Sequence, residues 1–180
     1  MSIKLGVLVS LSEAINDELK KIKDMGFDTC QLVCWDSNMY NGKTALIVND
    51  ATRENNIKIT AFWCGWPGPK VWNFYDGPST LGLVPEAYRH SRIDTLIKGS
   101  DFAAEIGVAD MATHVGFLPE NPRDPSYMGV VNAVRFIAEH CKANGQRFLF
   151  ETGQETPVTL KRIIEDIGLD NLGINFDPAN

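Results

Sequence analysis

Arg147-Phe148-Leu149-Phe150-Glu151 and Leu172-Gly173-Ile174-Asn175-Phe176-Asp177 decide the fold. Each is a short apolar run closed by a carboxylate, and such runs between turn residues read as buried strands. Side chains alternate across a strand. Arg147, Leu149 and Glu151 therefore share one face, and Phe148 and Phe150 the other. In the second run Gly173, Asn175 and Asp177 oppose Ile174 and Phe176. The bulky apolar sets suit burial under helices, so the other sets face inward and bring Glu151 beside Asp177. Parallel α/β proteins collect their chemistry at the carboxyl ends of strands. This pair is the first candidate for a metal or acid–base site.

Working outward, Gly26, Gly107, Gly145 and Gly168 each stand between a helical pattern and an apolar run, and Asn55-Asn56 stands in the same place before Ile57. Glycine, then asparagine, accepts the left-handed conformation that closes a helix. The stretches before them carry apolar residues at helical spacing. They are Ile15, Leu19 and Ile22 behind Ser12; Ile93, Leu96, Ile97 and Ala104, interrupted by Gly99; Val130, Val131, Val134, Ile137, Ala138 and Cys141; and Leu160, Ile163, Ile164 and Ile167 behind Pro157. Strands are expected near 3–9, 29–35, 57–63, 108–114, 147–151 and 172–177, with five helices between them.

Strict alternation implies a parallel sheet with crossover helices. An open doubly wound sheet and a (β/α)8 barrel both fit. No glycine-rich dinucleotide fingerprint or P-loop follows the first strand, and polar residues at several strand ends favour the barrel. A complete barrel takes about 250 residues. The expectation is therefore one α/β domain over 1–180, a TIM barrel of the (β/α)8 type truncated after about six strands and five helices. Its first and last strands would be exposed edges, open to homo-oligomer formation.

The composition, 44% hydrophobic and 22% charged over 180 residues, is that of a globular domain with a sizeable core. A net charge of −6 without a basic block argues against a nucleic-acid partner. No apolar run reaches the roughly 20 residues of a membrane span, and Met1-Ser2-Ile3-Lys4 lacks the layout of a signal peptide, so a cytoplasmic location is expected. Cys30, Cys34, Cys64 and Cys141 match no metal spacing and read as buried reduced thiols.

Two neighbouring carboxylates repel, and a divalent cation relieves that repulsion; oxygen donors with one imidazole suit Mn²⁺, Mg²⁺, Co²⁺ or Zn²⁺. His114 closes the fourth strand and is expected to act as a ligand or as a substrate hydrogen-bond partner, whereas His90 and His140 read as surface residues. Trp35 ends the second strand, and Phe62-Trp63-Cys64-Gly65-Trp66 opens a Pro/Gly-rich connection over 64–90 that also carries Trp72, Phe74 and Tyr75. Trp35 and Trp66 are the residues expected to pack against the apolar face of a sugar and exclude water. A connection of that length suits a lid or binding segment.

Phe150-Glu151-Thr152-Gly153-Gln154-Glu155 and Asn175-Phe176-Asp177-Pro178-Ala179-Asn180 resemble the sugar phosphate isomerase/epimerase family, the xylose isomerase-like barrels. Gln31-Leu32-Val33-Cys34-Trp35-Asp36 and the strand ending in His114 fit the same resemblance. It implies a divalent metal held by a Glu of strand five, an Asp of strand six, a His of strand seven and a Glu of strand eight. Glu151 and Asp177 match the first two, and the sequence holds no counterpart of the others. Asn180 occupies a substrate-contact position where some epimerases carry His. The implied reaction is isomerisation or epimerisation of a sugar or sugar phosphate through an enediolate, with Glu151 as ligand and acid/base and His114 on a substrate hydroxyl. An inosose dehydratase-like lyase and an inactive barrel fragment lacking the last two metal ligands are the alternatives. The nucleases of the same group are disfavoured by the negative charge and by a total of 3 histidines.

Overall fold

In the computed structural model, which describes residues 4–179, each expected apolar run forms a strand. The order is β1 (Val7–Ser10), α1 (Ile15–Asp24), β2 (Thr29–Cys34), α2 (Gly42–Asn55), β3 (Lys58–Cys64), α3 (Gly77–Thr80), α4 (Glu86–Glu105), β4 (Asp110–His114), α5 (Tyr127–Ala143), β5 (Arg147–Glu151), α6 (Pro157–Ile167) and β6 (Leu172–Asn175). The strands pair in chain order, every neighbour parallel, which is the α/β alternation of a TIM barrel carried through a 6-stranded sheet. Among the described residues no helix is long and apolar enough to cross a membrane.

Local chemistry sets the helix limits. Asn41 caps α2 by accepting from the Thr44 amide, and Asn56 ends it at φ 49°. Thr156 caps α6 with Pro157 in its first turn, and Gly168 ends it at φ 72°. Of the residues expected to close helices, Gly26, Gly107 and Gly145 also have positive φ.

The two faces of the sheet separate as alternation predicts. Phe148 and Phe150 join the main core with Leu32, Phe62 and Met111, beneath Ile15, Leu19, Val134, Ile137 and Ile163 of the helices. Each such side chain contributes about 1.5–3 kcal/mol by leaving water. Leu149 lies on the opposite face in a small cluster with Trp63 and Ala112, against Val33.

Several expectations shift. β6 ends at Asn175, so Asp177 lies two residues beyond the strand. β1 starts at Val7, and Ile3 of the expected strand lies outside the described residues. The 64–90 connection contains the single turn α3 and the start of α4. The α4 stripe turns so that Phe102 and Ala103 are buried and Ala104 is exposed. Gly99 is the contact itself rather than an interruption, because a Cβ there would collide with the Cys64 sulfur.

β1 and β6 are the two ends of the strand order. Their flanks leave Leu8 62%, Ile174 49% and Phe176 75% exposed. The sheet nevertheless curls enough for Gln31 of β2 to donate to the Asn175 side chain of β6 at 3.0 Å.

Candidate active site at the carboxyl ends of the strands

The concave face of the sheet opens into a pocket of about 540 Å³ at the strand carboxyl ends. Leu8, Gln31, Val33, Trp35, Trp63, Trp72, His114, Glu151, Asn175 and Asp177 line it, with Phe176 and Pro178 at the rim.

Glu151 ends β5 on the inner face, opposite Asn175 in the ladder. Its carboxylate accepts from the Asn175 side-chain amide, whose oxygen in turn accepts from Gln31. Burial raises the Glu151 carboxyl above its ordinary range; hydrogen bonds from Asn175 and Trp63 oppose the rise, and the negative Asp177 adds to it. Asp177 is tied back to the end of β5: its amide donates to the Thr152 hydroxyl at 2.8 Å, and that hydroxyl lies 3.1 Å from the Asp177 carbonyl. One Asp177 carboxylate oxygen accepts from the Ala179 amide at 2.8 Å. The two acids therefore face one pocket from adjacent strand ends.

His114 ends β4 and pairs in register with Glu151. It is 2% exposed. Its Nδ1 accepts from the Gly116 amide at 3.0 Å, which leaves the proton on Nε2. Nε2 is buried with no hydrogen bond of ordinary geometry, beside the equally buried Gln154 Oε1, and lies against Gly153, where a Cβ would come within 2.5 Å of it. Burial pushes the imidazole down to about 4, with the Gln154 side chain pulling the other way. The ring is a neutral donor at neutral pH.

Indoles form one wall. Trp35 and Trp63 stand 4.9 Å apart, and Trp72 meets the His114 ring edge-on at 5.1 Å. Trp66, expected on the substrate face, is fully buried and lines none of this pocket. Its indole donates to the His114 carbonyl at 3.2 Å, behind Trp35 and Trp72. The chain turns back at Gly65, where a Cβ would strike Trp35, and Trp72 takes the outward place. Asn180 lies outside the described residues. His90 and His140 pair with Asp94 and Asp101 away from this pocket, and the cysteines are buried and free.

Gln31, Trp63 and Trp72 line the pocket beside the residues expected there. The parity of β2 carries a signal for Gln31, a polar residue in an apolar strand on the face of Val33 and Trp35. Trp72 carries none beyond its place in the 64–90 connection.

The carboxylates of Glu151 and Asp177 are hard oxygen donors in mutual repulsion, which fits part of a divalent-cation shell. Among the described residues no group of three or more His, Cys, Asp or Glu gathers to complete one.

Comparison with known proteins agrees with this architecture. A family model described as xylose isomerase-like TIM barrel matches residues 19–180. A xylose isomerase domain protein from Planctomyces limnophilus superposes with a TM-score of 0.89 at 31% identity, over 98% of this chain and 63% of that one. A D-psicose 3-epimerase from Clostridium cellulolyticum H10 gives 0.69 at 13% identity, over 96% and 62%. A 3-keto-D-glucoside 4-epimerase from E. coli gives 0.71 at 18% identity, over 99% and 72%. The chain thus spans less than two thirds of the first two relatives. No curated protein matches it in sequence.

Proposed function

The chain belongs to the xylose isomerase-like TIM-barrel family, and from that premise we propose that it serves a divalent-metal-dependent sugar isomerase or epimerase, with Glu151 as one acid/base. The observation behind this reading is the joint placement of Glu151, Asp177 and His114 around one indole-walled pocket.

Glu151 removes a proton from the carbon beside the substrate carbonyl and can return it to the neighbouring carbon from the same side; delivery to the opposite face takes a second acid placed there. A carboxyl raised by burial is a stronger base than a free one, which suits that task. The Asn175–Gln31 amide chain keeps its orientation. His114 orients a substrate hydroxyl from the pocket wall. Trp35, Trp63 and Trp72 cover the C–H face of the sugar and exclude water. A divalent cation held by Glu151 and Asp177 would stabilise the negative charge that develops on the substrate oxygens.

The substrate favoured is an unphosphorylated sugar. Two carboxylates line the pocket, and a cation near its wall, Lys70, lies over the Trp35 ring at 4.9 Å, so the immediate lining favours neutral hydroxyls over a phosphate dianion.

Turnover of a ketohexose panel with Mn²⁺ tests the proposal. Glu151→Gln should lower kcat by at least about a thousandfold, as expected for loss of a positioned base; equal turnover removes Glu151 from the reaction. A second reading, that this polypeptide is inactive by itself, draws support from the two-carboxylate donor set. Titration calorimetry with Mn²⁺ decides, since tight one-to-one binding contradicts it. The exposed Leu8, Ile174 and Phe176 favour self-association through the sheet edges, which sedimentation tests.

A further inference from the structure

Helix α4 holds a buried arginine that the chemistry above does not use. Arg92 is 0% exposed. Its guanidinium donates to three backbone carbonyls of one connection: Nε to Pro67 at 3.1 Å, Nη2 to Pro69 at 2.8 Å and Nη1 to Gly82 at 2.6 Å. Its Cζ also lies 4.2 Å from the Trp66 ring centroid and 4.9 Å from that of Tyr88. Taking a guanidinium out of water is costly; three carbonyls and two π faces offset that cost.

The acceptors bracket residues 67–82, the segment that carries Trp72. We infer that Arg92 is a positioning residue: it clamps both ends of this strap and so holds Trp66 and Trp72 against His114 at the pocket wall.

The path is continuous. Arg92 stacks on Trp66, whose indole N–H holds the His114 carbonyl. Trp66 braces Trp72 at 6.4 Å, and Trp72 meets the His114 ring. Among the described hydrogen bonds, the strap's others, such as the Val71 amide to the Thr80 hydroxyl and the Gly77 amide to the Asn73 carbonyl, are local; it also meets the barrel through ring contacts, Lys70 over Trp35, Trp72 on Trp35 and Phe74 on Phe117. Its tip stays in solvent, with Phe74 80% and Tyr75 91% exposed. Lysine cannot replace the guanidinium, because a single ammonium cannot span three carbonyls while lying flat on an indole.

This inference rests on the proposed function only for what the wall faces, and its test needs no substrate. Arg92→Met and Arg92→Lys are compared with wild type by tryptic cleavage after Lys70, inside the strap, and after Lys161, in α6. Near-UV circular dichroism reads the indole cluster, and far-UV reads helix content. In Arg92→Met, cleavage after Lys70 should accelerate about tenfold or more, since proteolysis follows local opening. The indole bands should shrink, while Lys161 cleavage and helix content stay put. Arg92→Lys should accelerate Lys70 cleavage at least about threefold. Methylguanidinium added to Arg92→Ala should restore the indole bands. Equal acceleration at both sites would mean a purely global role and overturn the inference, as would an unchanged Lys70 rate in either variant. If Arg92→Met does not fold, wild-type protection in Arg92→Lys still refutes it. Absence of ketohexose turnover in the wild type counts against the proposed function and leaves these readouts unaffected.

Discussion

Replacing Gly153 with alanine puts one methyl group where the site has no room. The added Cβ would lie 2.5 Å from His114 Nε2 and 3.2 Å from a Glu155 carboxylate oxygen. Relaxed contacts need about 3.5 Å, so roughly 1 Å of movement is required. The imidazole resists: Gly116 holds its Nδ1, Trp66 holds its carbonyl, and Trp72 abuts its edge. The loop resists less, because the Gly153 amide has only a 3.3 Å bond to Glu155. Yet Thr152 ties that loop to Asp177, so movement there would drag the second carboxylate out of place. Forced overpacking of this kind costs about 1–3 kcal/mol. With a urea slope of about 2 kcal/mol per M, the midpoint should fall by roughly 0.5–1.5 M. Urea unfolding followed by tryptophan emission measures that fall, and the His114 Cε1–H resonance reports the ring. A midpoint within about 0.2 M of wild type, together with an unmoved resonance, would show that the Gly153–His114 packing is not tight and refute the reasoning.

His114 also predicts a pH dependence. Its folded pKa is pushed down to about 4 from an ordinary 6.5, so the unfolded chain binds the proton more readily. The neutral ring's full contribution is present above pH 6.5 and is lost as pH falls towards 4, about 3 kcal/mol at most. His114→Gln should flatten the stability profile between those values; unfolding midpoints from pH 4 to 7 check it. Gly99→Ala should destabilise by about 1–3 kcal/mol through the Cys64 sulfur, and Cys64→Ala in the same chain should recover part of that loss. Additive effects in the double-mutant cycle would contradict the contact. Thr152→Val removes a hydroxyl that both accepts from and donates to the Asp177 backbone. It should cost about 1–2 kcal/mol and weaken Mn²⁺ binding in calorimetry, and unchanged values of both would place Asp177 under other control.

The strands are legible because each is a brief apolar run with a turn signal on either side, and β5 shows why parity is reliable. Leu149 and Phe150 are both buried, but in different clusters on opposite faces, and only alternation distinguishes them beforehand. Glu151 follows from the same rule. Trp66 obeys it too: it shares the parity of Phe62 and Cys64 and joins their cluster, while Trp63 takes the inner face, so the expectation of Trp66 at the substrate fails against alternation itself. The path of the loop decides only the place of Trp72, and that path depends on Arg92. In the sequence Arg92 sits among Arg89, His90 and Ser91 and looks like solvent-facing helix. A buried cation with backbone acceptors leaves no charge partner for the eye to find. Gly99 misleads for the opposite reason: the gap in an apolar stripe is where two elements come closest.

The inner face explains how a sheet whose β1 and β6 lie at opposite ends of the strand order still builds a concave site. Backbone pairing runs from β1 to β6 in order. Side chains add a shorter route from β2 to β6 to β5, through Gln31, Asn175 and Glu151. An amide is needed in the middle of that route because it offers a donor and an acceptor at once: the Asn175 nitrogen serves the carboxylate, and its oxygen receives Gln31. A carboxylate there would repel Glu151, and an aliphatic residue would leave it without that donor at half burial. Gly173, one step back on the same face, has no side chain to push β6 from β5; a Cβ would press the Leu149 methyl. The close approach at Gly173 and the amide at Asn175 lie on the same face of β6, so the strand that packs tightly on β5 is also the one that orients the candidate base.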